Sequence, residues 1–209
     1  MKDKCICLIS GGMDSAVAMA WAVYEQGWEV YPVWFNYNQK HTKEKKYASE
    51  ICSLFSSYSL KEVVLDMDWC SSCLLKGRKE VKGTAYVPAR NIIQLAYAGG
   101  IALEIKAKHI VGGWNIIDFG GYPDCRPAFL GLMQDALCVG MNYKVTIHGP
   151  LLHLTKAQII QLGLSLKVPF EKTWSCYRGE NKPCHKCNSC LNRDKGFREA
   201  GVKDPLDLV

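Results

Sequence analysis

The chain has 209 residues, 48% of them hydrophobic, and a formal net charge of +6. That supports one domain with a buried core, with room for a small appended module, and a charge suited to an anionic substrate but too weak to demand nucleic acid. Only five apolar residues follow Met1-Lys2-Asp3-Lys4, too few for a signal-peptide core, and no segment is long enough to span a membrane; a soluble cytoplasmic enzyme is expected.

The first element is the apolar run Cys5-Ile6-Cys7-Leu8-Ile9, read as a strand. It runs directly into Ser10-Gly11-Gly12-Met13-Asp14-Ser15 and a helix over residues 15–26, stopped at Gly27. A glycine-rich turn lets backbone N–H groups converge on an anion, and the helix start adds its positive dipole end. Ser10 and Ser15 add hydroxyl donors, and Asp14 either caps the helix or helps hold a magnesium ion. The spacing is neither the Walker pattern nor Gly-x-Gly-x-x-Gly. It resembles the SGGxDS loop of the PP-loop ATP pyrophosphatases, which cradles the pyrophosphate released when a substrate is adenylated.

Strand and helix signals then alternate. Residues 29–37 read as a strand with Pro32 near its start, and 43–56 as a helix with Tyr47, Ile51, Leu54 and Phe55 on one face. A short strand at 62–67 precedes a connection over 68–85, rich in Cys, Ser, Lys and Gly, where mobility is expected. A helix follows at 91–106, a strand at 109–114, a helix at 127–139, a strand at 144–148 and a helix at 155–166 with Thr155 as N-cap. Regular βα alternation implies a parallel sheet with helices on both faces, and ligands in such sheets bind beyond the C-terminal strand ends. The SGGMDS turn, residues 36–41 and residues 115–124 all fall at such ends.

Eleven cysteines are many for this length, and an odd number cannot all pair within one molecule. Cys5, Cys7, Cys52 and Cys138 sit in apolar runs as small hydrophobes. Cys70 and Cys73 read as unpaired thiols, with a redox pair or an accessory metal site as the alternative. Cys176, Cys184, Cys187 and Cys190 carry the spacing of a four-thiolate site. Zinc suits that spacing, and an iron–sulfur cluster is its rival. Lys182, Lys186, Arg193 and Lys195 would offset the negative charge, and His185 reads as a loop residue rather than a ligand. The division expected is an ATP-binding α/β domain over residues 1–170 and a zinc-binding segment over 171–209 packed on it.

Between these landmarks lie Val87-Pro88-Ala89-Arg90-Asn91 and a loop, residues 118–127, with two carboxylates, an arginine and a tyrosine. A carboxylate can accept from a guanine-like base, an aromatic ring can stack on it, and arginine can hold a carboxylate bidentately. The bland alternative is a salt-bridged Gly/Pro turn. With SGGMDS, FNYNQKH at 35–41, VPARN, GGYPDCRP, LTKA at 154–157, TWSCY at 173–177 and the cysteine run, the order of motifs resembles the QueC family of 7-cyano-7-deazaguanine synthases.

The resemblance implies a PP-loop fold, a zinc site and a homodimer. It implies conversion of 7-carboxy-7-deazaguanine to the nitrile with ATP and ammonia, through adenylated intermediates and an amide. It assigns Leu8, Ile9, Ser10, Gly11, Gly12, Met13, Asp14, Ser15, Ala16, Val17 and Ala18 to ATP, with Mg2+ beside Asp14. Ser10, Asp14, Ser15, His41 and Lys195 become candidate catalytic groups, with Gln39 near them; His41 reads equally as a loop histidine. Arg90, Asn91, Asp118, Tyr122, Asp124 and Arg126 become the deazaguanine pocket. Cys125 is not assigned as a nucleophile, since the reaction needs no covalent catalysis.

The chain departs from the family pattern FDYGQRH at Asn36, Asn38 and Lys40, has Gly120 before GYPDCR where Ser is common, and has Ala128 where Glu often follows CRP. These departures keep open a divergent enzyme that adenylates the deazaguanine carboxylate and stops at the amide, or joins it to another amine, even one on a protein in antiviral defence. A tRNA-modifying PP-loop enzyme and a non-enzymatic zinc-knuckle module are the rivals from other classes.

Overall fold

A computed structural model describes residues 2–39, 43–65, 67, 86–117, 122–178 and 182–208. His41, Lys40, Cys70, Cys73, Asp118 and Gly120, with the connection over 68–85, lie outside the described residues.

The sheet has five parallel strands: β1 (Lys4–Leu8), β2 (Glu29–Asn36), β3 (Lys61–Val64), β4 (His109–Gly112) and β5 (Thr146–His148). Their order is β3-β2-β1-β4-β5, so the chain reverses direction across the sheet between β1 and β4. That reversal opens a crevice at the C-terminal strand ends, where open α/β sheets bind ligands. Parallel strands are covered on both faces, and β1 shows why its sequence is apolar throughout. Cys5 and Cys7 enter one core with α1 (Met13–Tyr24), α2 (Lys43–Phe55) and α5 (Lys156–Ser165). Ile6 between them enters the other, with α3 (Arg90–Ile105) and α4 (Pro127–Met141). A period of two thus feeds two cores from one strand.

The helices begin and end where local chemistry dictates. Thr155 caps α5 in a full capping box, its side chain accepting from the Gln158 N–H while the Gln158 side chain accepts from the Thr155 N–H at 2.8 Å. Helix α1 starts at Met13, two residues before the expected Ser15, and its N-cap is Gly12 without a side-chain cap. Asp14 is therefore inside the first turn and is not the cap. The expected 62–67 strand is Lys61–Val64, and β4 stops at Gly112 rather than at Trp114.

A sixth helix, α6 (Asn188–Glu199), begins inside the cysteine run, with Cys187 as its N-cap and Cys190 in its first turn, and the cysteine spacing does not announce it. Phe197 of α6 enters the α1/α5 core and meets Phe170 edge-on at 5.4 Å. Trp174, Cys176 and Cys190 form a third, small cluster at the junction. No described helix is long and apolar enough to cross a membrane.

Candidate active site

The sequence that follows β1 cannot continue as strand. Gly11 adopts φ +85°, and a Cβ there would lie 2.3 Å from the Glu44 carbonyl oxygen, so the turn and the start of α2 touch only because Gly11 has no side chain. Gly113, just past β4, has the same function: its Cβ would lie 2.7 Å from the Ser15 nitrogen. The turn is laced internally. The Ser10 and Ser15 hydroxyls are 3.1 Å apart, Ser15 Oγ donates to the Gly12 carbonyl at 2.9 Å, and the Ser10 N–H donates to Ser15 Oγ at 3.2 Å.

A cleft of about 340 Å³ opens above this turn. Ser10, Gly12, Asp14, Ser15 and Lys156 form one end. Lys156 Nζ donates to both Asp14 carboxylate oxygens at 2.8 Å with a side chain only 10% exposed. This end offers hydroxyls, backbone N–H groups, a cation and a carboxylate within one concavity, the donor set that phosphates and their divalent cation require.

The other end is built by α3 and the short turn Pro123–Cys125. Arg90 and Asn91 open α3 after Ala89, which takes a left-handed φ of 61°. Arg90 donates to the Tyr37 hydroxyl at 3.4 Å. Asn91 is buried and donates to the Asp124 carbonyl at 2.9 Å, which ties the loop to the helix. Asp124 is itself buried, and its Oδ2 has no hydrogen-bond partner. Burial raises the Asp124 carboxyl above the usual range against the pull of Arg90. Tyr122 lines the cleft and stacks on Tyr86 at 5.8 Å. Gln39 is buried at the cleft wall, accepting from the Tyr37 N–H at 2.9 Å and donating to the Phe35 carbonyl at 3.1 Å. Burial raises the Cys125 thiol to about 11, the opposite of what a nucleophile needs.

Several expected site residues stand elsewhere. Ala16, Val17 and Ala18 are fully buried in the core below α1 and do not line the cleft. They lie beyond the first turn of α1, where every side of the helix is packed against neighbouring elements. Arg126 is exposed and outside the cleft lining. Lys195 lies on the exposed side of α6, 3.7 Å from Glu199, also outside it. Conversely, Lys156, Glu44, Trp174, Tyr177, Ser189 and Asn192 line the cleft without having been expected there. Lys156 stands in the LTKA stretch, which does not by itself say that this side chain reaches the cleft. The others come from α2, from the strip that carries Trp174 and Tyr177, and from α6, which tertiary packing brings together.

The four thiols of Cys176, Cys184, Cys187 and Cys190 converge, every sulfur within 4.8 Å of the others. A tetrahedral ion with bonds of about 2.3 Å would set its sulfurs roughly 3.8 Å apart. Cys184 and Cys190 already stand at 3.9 Å, so the four residues fit a metal ion. The Cys184 thiol is held at about 6: burial opposes ionisation, but the Lys186 and Cys187 backbone N–H groups outweigh it. His185 turns away to Asp194 at 3.0 Å. Arg193 is not spent on the thiolates; it is buried and pairs with Asp204. The cluster holds one wall of the cleft. Trp174 N–H donates to the Gly11 carbonyl at 2.9 Å, and Ser189 and Asn192 of α6 face the cavity.

Comparison with known proteins accords with this geometry. The chain is 41% identical over 221 residues to the 7-cyano-7-deazaguanine synthase of Thermoplasma volcanium, covering 99% of this chain and 91% of that protein. It is 41% identical to the protein of the same name from Desulfatibacillum aliphaticivorans, covering 100% and 97%. Among solved structures, the U34-tRNA thiolase NcsA from Methanococcus maripaludis with its [4Fe-4S] cluster matches 95% of this chain and 68% of its own, with a TM-score of 0.54 at 15% identity, a likeness of PP-loop fold alone. The sequence model of the queuosine biosynthesis protein QueC matches residues 4–201, and the chain belongs to that family.

Proposed function

We propose that this chain converts 7-carboxy-7-deazaguanine to 7-cyano-7-deazaguanine at the expense of ATP, with ammonia as nitrogen donor. One observation carries the reading. The cleft runs without a break from the Ser10–Ser15 turn to the wall of Arg90, Asn91 and Tyr122. A nucleotide with its phosphates at one end and a flat base at the other would bring an α-phosphate to a carboxylate borne by that base. A free carboxylate resists attack by ammonia, and adenylation supplies the leaving group. The Ser10, Gly12 and Ser15 donors and Lys156 offset charge that develops on the phosphates, and Asp14 offers a hard oxygen ligand for the Mg2+ of MgATP. Tyr122 supplies a stacking face at the cleft wall. We assign zinc to the four thiols, with a structural role: four soft ligands close the ion's tetrahedron and leave no open position for substrate. A homodimer is the assembly we expect, which light scattering tests.

Two of the family departures, Asn36 and Asn38, are compatible with this chemistry. Asn38 adopts φ 59°, which asparagine tolerates best after glycine. Asn36 donates to Glu62 at 3.0 Å, at the surface and away from the phosphates.

The test is mass spectrometry of the products formed from 7-carboxy-7-deazaguanine, MgATP and ammonium. Nitrile with AMP and pyrophosphate is expected. Amide as the final product would replace this reading by a divergent enzyme that stops one step earlier. Adenylate that reacts only with another amine would make the chain a conjugating enzyme. No turnover together with salt-dependent tRNA binding would point to RNA modification.

A further inference from the structure

The geometry points to Glu44 as the proton acceptor for the ammonia that attacks the activated carboxylate, an inference that rests on the function proposed above. Glu44 sits in the first turn of α2 and lines the cleft, where the Arg90 charge acts on its carboxyl. Its backbone is fixed, because the Glu44 carbonyl packs on Gly11 at a distance that no side chain would permit. Its carboxylate makes no hydrogen bond or ion pair with any described residue, unlike Asp14, which is held by Lys156. A cleft-lining acceptor with no partner among the described residues has its lone pairs available to an incoming N–H.

Burial raises the Glu44 carboxyl to about 7, with the Arg90 charge working against it. An ordinary carboxylate is a weak base; one near neutrality is matched to proton transfer at physiological pH. The other charged or titratable groups lining the cleft are Arg90, the Asp14–Lys156 pair, Tyr37, Tyr122, Cys125, Tyr177 and Arg193. Arg90 contacts Tyr37, and Arg193 is neutralised by Asp204.

The step balances as follows. Ammonia adds its lone pair to the acyl carbon of the adenylate, giving an alkoxide that carries an ammonium group. Glu44 takes one N–H proton. The alkoxide reforms the carbonyl, the C–O bond to AMP breaks, and AMP leaves with that electron pair, giving the amide. After the amide oxygen has displaced pyrophosphate from a second ATP, loss of the remaining two N–H protons and of AMP gives the nitrile. Glu44 can serve that loss too, having returned its first proton to water.

The experiment compares wild type, Glu44→Gln and Glu44→Asp in two assays. The first is ATP–pyrophosphate exchange dependent on 7-carboxy-7-deazaguanine without ammonium. The second is amide and nitrile formation with ammonium, or hydroxamate formation with hydroxylamine, whose weakly basic nitrogen sheds its proton to water unaided. In Glu44→Gln, exchange and hydroxamate formation are expected to stay within about threefold of wild type while ammonium-dependent product falls roughly 100-fold. At constant free ammonia, wild-type rate rises with pH through about 7, and that limb disappears in the variant. Glu44→Asp, which keeps a carboxylate on a shorter stem, retains exchange and loses about tenfold in product. Equal loss in both assays, in either variant, overturns the proposal and makes Glu44 an ATP, Mg2+ or structural residue. Unchanged product overturns it as well. Wild type that shows no exchange with this substrate overturns the proposed function and this inference together.

Discussion

A single methyl group at Gly11 would break the contact on which the phosphate end of the cleft depends. Gly11→Ala meets both a φ of +85° and a carbonyl at 2.3 Å, so the turn or α2 must move. A loss of about 1–3 kcal/mol in urea unfolding is expected, with ATP–pyrophosphate exchange reduced far more than stability. Lys156→Ala leaves the Asp14 carboxylate alone beside the phosphate end. Its KM for MgATP is expected to rise at least about tenfold with little change in melting temperature, as measured by steady-state exchange. At this scale the six-residue turn was legible because its chemistry is local: a strand end, glycines and a helix start lie within ten residues. Lys156 and Glu44 were not, because nothing in LTKA or in Lys43-Glu44 says which side chain reaches a cleft built from other elements.

Helix α6 shows what a side-chain pair can do for an element. Arg193 is buried, donates to both Asp204 oxygens, and reaches Thr173 Oγ1 at 2.8 Å and the Phe170 carbonyl at 2.9 Å. It staples the chain end to the strip that carries Trp174 and Cys176. Asp204→Ala would strand a buried guanidinium, and a cost of about 3–5 kcal/mol in urea unfolding is expected. Metal removal acts on the same wall. Elemental analysis is expected to find one zinc per chain, and chelation to expose Trp174 to quenchers and to abolish exchange, because Trp174 is bonded to the Gly11 carbonyl. The cysteine spacing made the four ligands legible. The helix stayed hidden because its stability comes from Phe197 packing and the Arg193 staple, both distant in sequence.

Across the molecule, His109 and His148 form a polar patch on the far side of the α1 core from the Ser10–Ser15 turn. Their rings are hydrogen-bonded at 3.1 Å, and His109 stacks on Trp28 at 4.1 Å, with Trp21 beside His148. Burial and the His109 charge lower His148 to about 4, and burial lowers His109, with Asp3 opposing and Lys108 assisting. A histidine depressed in the folded state leaves the unfolded chain binding more protons between about pH 4 and about 6.5, so stability rises with pH across that window and is lost as pH falls through it. Melting temperature is expected to drop between pH 6.5 and pH 4 in wild type and to drop less in His148→Gln, which differential scanning fluorimetry would show. The βα alternation, the parallel sheet, the glycine turn and the four converging cysteines were written in the sequence itself, because periodicity, glycine freedom and thiol spacing act over a few residues. Tertiary structure alone decided that β1 and β4 flank the crevice, that Arg126 and Lys195 face solvent, and that Glu44, Lys156 and α6 line the cleft. Those placements depend on how separate helices pack over one sheet, and no short stretch of chain encodes that.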